Sequence, residues 1–285
     1  MELSRITTED IGRWAEHLGE QFSGGTVRHH VNTLSNLYKR ARAKRVVPAG
    51  YSPVADLPEK PIARSLEARW LEVPDAALLL EAARTYVPKR GDLALPFAYP
   101  LLGAFLLTGG RRLEVLGLEV SDLSFDRKTV TFRPNTWRRL KTATSFRSVP
   151  LHPQLEEILR PYVFGARPPA RLLFPSFRTG AEAMLTDFRK LLDAVAVRAG
   201  WQAGEITPKM FRHTYTAARL QTLDRGAPVS VYTVAKELGH GGDTLVKRVY
   251  GHLGHVRHRA EVVEYRVEQH AGVIGERLAA LEARA

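Results

Sequence analysis

Thr207-Pro208-Lys209-Met210-Phe211-Arg212-His213 reads as the opening of a helix whose first turn suits an anion. Thr207 is a good N-cap, because its side-chain oxygen accepts from a free backbone N–H in the first turn. Pro208 fits the first helical position, where no N–H is needed. Lys209 and Arg212 then stand three residues apart on one face, beside unpaired N–H groups and the positive end of the helix dipole. An ordinary capped helix with exposed cations would carry the same letters, so the rest of the chain has to decide between the two.

Working outward, two upstream stretches also gather cations. Leu107-Thr108-Gly109-Gly110-Arg111-Arg112-Leu113-Glu114 breaks an apolar run with two glycines. It places Glu114 three residues after Arg111, where a charge-assisted bond can hold the guanidinium fork for a phosphate. Trp137-Arg138-Arg139-Leu140-Lys141-Thr142 is a basic loop between two strand-like runs. Downstream stand Leu238-Gly239-His240 and, ten residues after that histidine, Tyr250 in Val249-Tyr250-Gly251-His252. A phenol can attack phosphorus and conserve the energy of the broken bond in an ester. Tyr250 is nonetheless one of nine tyrosines, and most tyrosines are packing residues.

The periodicities predict a mainly α chain with a small antiparallel sheet. Thr7 and Asp10 have capping-box spacing ahead of Ile11, Trp14, Ala15 and Leu18. After Gly24-Gly25, Thr26 is expected to cap a longer helix with a stripe of Val27, Val31, Leu34, Tyr38 and Ala41. Its opposite face is basic, with Arg28, His29, Lys39 and Arg40 as candidate phosphate contacts, alongside Arg138 and Arg139 of the later loop. Pro53, Pro58 and Pro61 interrupt the pattern, which sets the expected domains at 1–62 and 66–285. Beyond them, helices are expected over Pro74–Tyr86, Ala94–Leu107, Leu155–Tyr162, Leu185–Ala199, Pro208–Leu223 and Val231–Leu238. Strands are expected over Val120–Leu123, Thr129–Phe132 and Ser148–Leu151. A last apolar stripe runs through Val273, Ile274, Leu278 and Leu281.

Composition narrows the function. The 285 residues are 44% hydrophobic, enough for a real core, and 42 Lys and Arg against 30 Asp and Glu give a net charge of +12. That balance favours a polyanion such as nucleic acid as partner. No run approaches the roughly 18 apolar residues of a membrane span, and no signal pattern opens the chain, so a cytoplasmic protein is expected. With no cysteine, disulfides, thiolate catalysis and cysteine-ligated zinc are excluded. His252, His255 and His258 repeat every third residue, but no carboxylate completes a set, and no metal or cofactor is expected.

The ordered motifs together resemble the tyrosine recombinases, the family of the lambda and other phage integrases, the Xer recombinases and Cre. Thr108 to Glu114 resembles the first arginine box. Leu140-Lys141-Thr142 through Arg147-Ser148-Val149-Pro150-Leu151 resembles the hairpin lysine and the strand after it. Lys209 to His213 resembles the second arginine box, and Leu238-Gly239-His240 with Tyr250 the closing box and nucleophile. One motif alone is only a hypothesis, and the order of five is the specific signal.

The resemblance implies an α+β catalytic domain that, with a helical core-binding domain lacking a helix at its start, clamps duplex DNA. It implies that Tyr250 forms a 3′-phosphotyrosyl bond, that Arg111 and Arg212 stabilise the five-coordinate phosphorus, and that Lys141 protonates the leaving 5′-oxygen. His240 would hydrogen-bond the phosphate and Glu114 would support Arg111. Lys209 departs from the family, which usually has histidine there; a lysine can donate to the phosphate or accept the tyrosine proton. His213 is expected to be structural. No acidic cluster has metal-ligand spacing, so activity in EDTA is expected. The implied assembly is a tetramer on DNA through the C-terminal helix, nucleoid-associated when bound, with accessory DNA-bending or directionality factors. A type IB topoisomerase-like enzyme and a DNA-binding relative without catalysis are the rival readings.

Overall fold

The computed structural model describes residues 2–57, 68–87, 97–176, 181–224 and 227–250. His252, His255, His258 and the stripe from Val273 to Leu281 lie outside these residues. The chain divides into two compact units, Met1–Glu67 and Ala68–Ala285.

The first unit is built on α1 (Thr8–Gln21) and α2 (Gly24–Ala43). Thr7 and Asp10 form the expected capping box, with mutual side-chain to backbone bonds of 2.9 and 3.1 Å. The cap of α2 is Ser23 rather than Thr26: its hydroxyl accepts from the Thr26 N–H, and both glycines fall in the first turn. A serine ahead of the glycines supplies the cap before Thr26 is reached, and Gly-Gly is tolerated where the helix is not yet hydrogen-bonded on its N–H side. Val27, Val31, Tyr38 and Ala41 are buried together with Ile11, Val47 and Val54.

The second unit is centred on one helix. Its first elements are α3 (Val73–Arg84), α4 (Ala98–Thr108) and α5 (Arg112–Leu116). A sheet of β1 (Leu123–Ser124), β2 (Thr129–Phe132) and β3 (Arg147–Pro150) follows, antiparallel in that order, with Val130 opposite Val149 and Phe132 opposite Arg147. Then come α6 (Pro153–Val163), the pair β4 (Pro175–Ser176) and β5 (Ala183–Met184), α7 (Arg189–Arg198) and α8 (Pro208–Gln221). The pair β6 (Leu223–Asp224) and β7 (Ala227–Pro228), α9 (Val231–Glu237) and α10 (Thr244–Tyr250) are the last of its described elements. Among the described residues no helix is long and apolar enough to cross a membrane.

Helix α4 is apolar all round and packs against α3, α6 and α8, as a helix hydrophobic on every face must. Phe105 at its centre stacks on Phe188 at 5.0 Å and meets Phe211 of α8 at 5.8 Å. These contacts fix the axis of α8 against the end of α4, and so set the distance between the two arginine motifs.

Three expected boundaries shift for local reasons. Val120–Asp122 is a helical turn, not a strand, because the Asp122 carboxylate accepts from the Glu119 N–H at 3.0 Å and closes it. The α7 helix starts at Arg189, whose N–H is capped by Asp187 at 2.9 Å, while Leu185 is a buried residue ahead of it. Leu223 leaves α8 for β6, because Thr222 turns to extended backbone.

Candidate phosphoryl-transfer site

The glycine pair before Arg111 is required by packing. Gly109 ends α4 in the left-handed region at φ +61°, and a Cβ there would run into the Tyr215 ring, while one at Gly110 would meet Val115 and Phe132. The chain can therefore turn tightly over α8 and release Arg111 as the N-cap of α5. The Arg111 N–H donates to Glu114 Oε2 and its guanidinium Nη1 to Glu114 Oε1, both at 2.8 Å, with a further bond to Ser145 Oγ at 3.2 Å.

Glu114 is shared. Arg147, from the inward face of β3, donates to Glu114 Oε2 at 2.8 Å, to the Ser145 carbonyl at 2.9 Å and to the Glu237 carbonyl. Its guanidinium lies over the Phe132 ring, 4.3 Å from the centroid. Burial works to raise the Glu114 pKa, but the hydrogen bond and charge of Arg147, followed by the bonds from Arg111, overcome it and hold the carboxyl at about 2.

Arg212 closes the other side. From the first turn of α8 it donates to the Gly109 carbonyl at 2.7 Å and to the Leu238 carbonyl at 2.6 Å, and lies 3.1 Å from His240 Nε2. One side chain thus joins the first arginine motif to the histidine motif. His240 is delivered by the end of α9. Gly239 adopts φ +66°, its N–H bonds the Lys236 carbonyl, and the His240 N–H bonds the Ala235 carbonyl, each at 2.9 Å. Tyr215 and Arg219 of α8 pin α9 through Glu237, with bonds of 2.6 to 2.9 Å.

The electrostatics of this pocket are lopsided. Burial, then the charges of Arg111 and Arg147, push Arg212 down to about 9. Burial, then Arg212, Arg111 and Arg147, push His240 down to about 4. Because Arg212 can only donate to Nε2, a neutral His240 carries its proton on Nδ1, a buried atom with no hydrogen-bond partner among the described residues. Three arginines and one carboxylate leave the site short of negative charge.

Tyr250 is the last described residue of α10 and is 5% exposed. Its ring lies 6.3 Å from Trp70 and 5.7 Å from His213, and its hydroxyl is hydrogen-bonded to His213 Nδ1. Among the described residues that hydroxyl makes no bond to Arg111, Arg212 or His240. His213, expected to be structural, is the residue that meets this hydroxyl.

The remaining candidates are spread out. Lys209 is exposed in the first turn of α8, on the face of His213, and Lys141 and Arg139 are exposed in the loop between β2 and β3. Arg138 does not fit its expected place as a DNA contact, because its side chain is 1% exposed. It donates to Asp122, to the Arg133 carbonyl and to the Glu114 carbonyl, so it ties the loop to the core. In the first unit, Arg28, His29, Lys39 and Arg40 are exposed on α2, opposite its buried stripe. Among the described residues no group of His, Asp or Glu is placed to hold a metal ion.

Sequence reasoning passed over Arg147 and Glu237. A signal existed for Arg147: strand alternation puts it on the face of Val149, and an arginine on an inward strand face needs a buried acid. Nothing local marks Glu237.

A family model, the phage integrase family, matches residues 70–255. The chain belongs to this family, the tyrosine site-specific recombinases, which break and rejoin DNA. No curated protein sequence matches the chain. Its fold is similar to the Tn1549 transposon integrase in complex with a circular intermediate DNA, at TM-score 0.67 and 17% identity over 94% of this chain and 86% of that one. XerH recombinase in a post-cleavage complex with difH gives TM-score 0.67 at 16% identity, over 96% of this chain and 74% of that one. A lambda integrase dimer on a COC′ core site gives 0.60 at 15%, over 87% and 81%.

Proposed function

We propose that this chain cleaves and rejoins duplex DNA through a 3′-phosphotyrosyl bond to Tyr250, without a metal ion. The observation that carries the reading is the pocket of Arg111, Arg212 and His240. Burial and, after it, the mutual charge of its cations depress an arginine and a histidine there, so the pocket gains from an anion placed among them. A scissile phosphate is such an anion, and the five-coordinate transition state carries still more charge on its non-bridging oxygens. A pocket of this sign would also repel a divalent cation.

In this reading Arg111 and Arg212 bind the non-bridging oxygens, His240 hydrogen-bonds the phosphate through Nε2 once the anion has drawn a proton onto it, and Glu114 positions Arg111. Lys141, on the loop between β2 and β3, protonates the departing 5′-oxygen, and Lys209 adds a phosphate contact from the first turn of α8. Arg28, His29, Lys39, Arg40 and Arg139 contact the duplex backbone. Assembly is a tetramer on the DNA through the C-terminal segment, with accessory proteins setting direction, in the nucleoid. The DNA-bound states of the structural neighbours support the choice of partner.

The test is incubation with nicked duplexes cut from the DNA flanking the gene, followed by denaturing electrophoresis. A protein–DNA adduct is expected with wild type in excess EDTA and not with Tyr250→Phe. An adduct that needs added Mg²⁺, or that survives the loss of Tyr250, overturns the reading.

A further inference from the structure

Helix α8 offers Tyr250 two neighbours that could manage its proton, and only one touches it. Lys209 and His213 lie four residues apart, on one face of the helix. Lys209 is exposed and makes no hydrogen bond or ion pair among the described residues. Arg212 has its guanidinium committed to the Gly109 and Leu238 carbonyls and to His240. His213 Nδ1 is hydrogen-bonded to the Tyr250 hydroxyl, and the rings are 5.7 Å apart at 47°. The phenol is 5% exposed, with Trp70 on its other flank, so bulk water has little access to it.

We propose that His213 is a catalytic residue, the acceptor of the Tyr250 proton when the phosphotyrosyl bond forms. This rests on the phosphotyrosyl reading above. In the forward step the Tyr250 O–H bond breaks and its proton passes to His213 Nδ1, giving an imidazolium. The phenolic oxygen bonds to phosphorus, the bond from phosphorus to the 5′-oxygen breaks, and that oxygen takes a proton from Lys141. In rejoining, the 5′-hydroxyl bonds to phosphorus and its proton returns to Lys141, while the bond from phosphorus to the phenolic oxygen breaks and the imidazolium returns its proton to Tyr250.

The surroundings favour an acceptor. Among the described residues the charged groups that face His213 are Lys209 and Arg212 of its own helix, and the titratable group from α10 is Tyr250 itself. Burial, then Lys209, then Arg212, lower the His213 pKa from the ordinary 6.5, so the ring is neutral and ready at neutral pH. The charge of Lys209 thus acts on the imidazole rather than taking the proton.

The test measures single-turnover adduct formation between pH 4.5 and 8 with the full chain and the same nicked duplexes. Wild type should lose rate as pH falls through the pKa of His213, below 6.5. His213→Ala should be slower by about 100-fold or more, with free imidazole restoring part of the rate. His213→Gln, which keeps a hydrogen bond to Tyr250 without titrating, should be slow and lack the acid limb. Lys209→Ala should be slower at every pH but keep the limb, and thermal melts should show that each variant is folded. A His213→Gln enzyme at the wild-type rate, a His213→Ala enzyme with the wild-type pH profile, or a limb that vanishes with Lys209 overturns the assignment. Absence of any Tyr250-dependent adduct in wild type instead overturns the phosphotyrosyl reading, and this one with it.

Discussion

Glu114→Gln is the sharpest perturbation of the site, since it removes one charge and hardly changes shape. The carboxylate is 6% exposed and sits between Arg111 and Arg147. Held at about 2 instead of 4.5, its charged form is favoured by about 3 kcal/mol in the folded state. Because the folded value is the lower one, this stability is present in full well above pH 4.5 and drains away as pH falls towards 2. At pH 7 the variant should lose about 3 kcal/mol, and it leaves Arg147, itself 6% exposed, without a counter-charge. For a unit the size of 68–285 that is a fall of roughly 6 to 12 °C in its melting temperature. Urea unfolding of both proteins at pH 7, 4.5 and 3 gives the check: about 2 kcal/mol of the difference should be gone by pH 3. A variant that melts within 2 °C of wild type, or a difference that ignores pH, would refute the claim that one ionised carboxylate anchors both arginines.

Two further outcomes separate structural from functional cations. Arg138→Ala should destabilise the second unit by about 1 to 3 kcal/mol, because it removes buried hydrogen bonds to two backbone carbonyls and one of the two arginines on buried Asp122, which keeps Arg133; Arg139→Ala should leave the melt unchanged and lower the salt slope of DNA binding by about 1. Arg138→Ala with a wild-type melt and weakened DNA binding would contradict the buried placement. His240, held at about 4 by burial and then by the charges of Arg212, Arg111 and Arg147, should titrate upward when inorganic phosphate is added, because an anion among the arginines offsets their share of the shift; an imidazole NMR titration that does not move would mean that phosphate does not enter the pocket.

The legible part of this protein was the part written in short-range rules. The capping box of Thr7 and Asp10, the Thr207-Pro208 start of α8 and the pairing of Arg111 with Glu114 all depend on residues three or four apart. The unread part depends on residues far apart in the chain. Arg147 reaches Glu114 across 33 positions and His213 reaches Tyr250 across 37, and no spacing rule covers either. Arg138 failed for a related reason. A basic loop looks solvated until Asp122, 16 positions away, is seen to be buried beneath it and in need of a cation.

The same distinction explains how the pocket is held together. Like charges this close should spread apart, yet Arg212 is clamped by the Gly109 and Leu238 carbonyls, and Arg111 and Arg147 by a single carboxylate. Each clamp is anchored to backbone that cannot easily move: Gly109 by the Tyr215 ring beneath it, Leu238 by the end of α9, Glu114 by its place in α5. The repulsion is therefore held in place by the folding of the whole unit, and the phosphate of the proposed reaction would meet donors already in position. Dipoles and charges that need not reorganise as charge builds on phosphorus are the largest electrostatic contribution a protein makes to such a reaction. In the reaction proposed for this chain, that contribution would rest on two glycines and one glutamate as much as on the arginines.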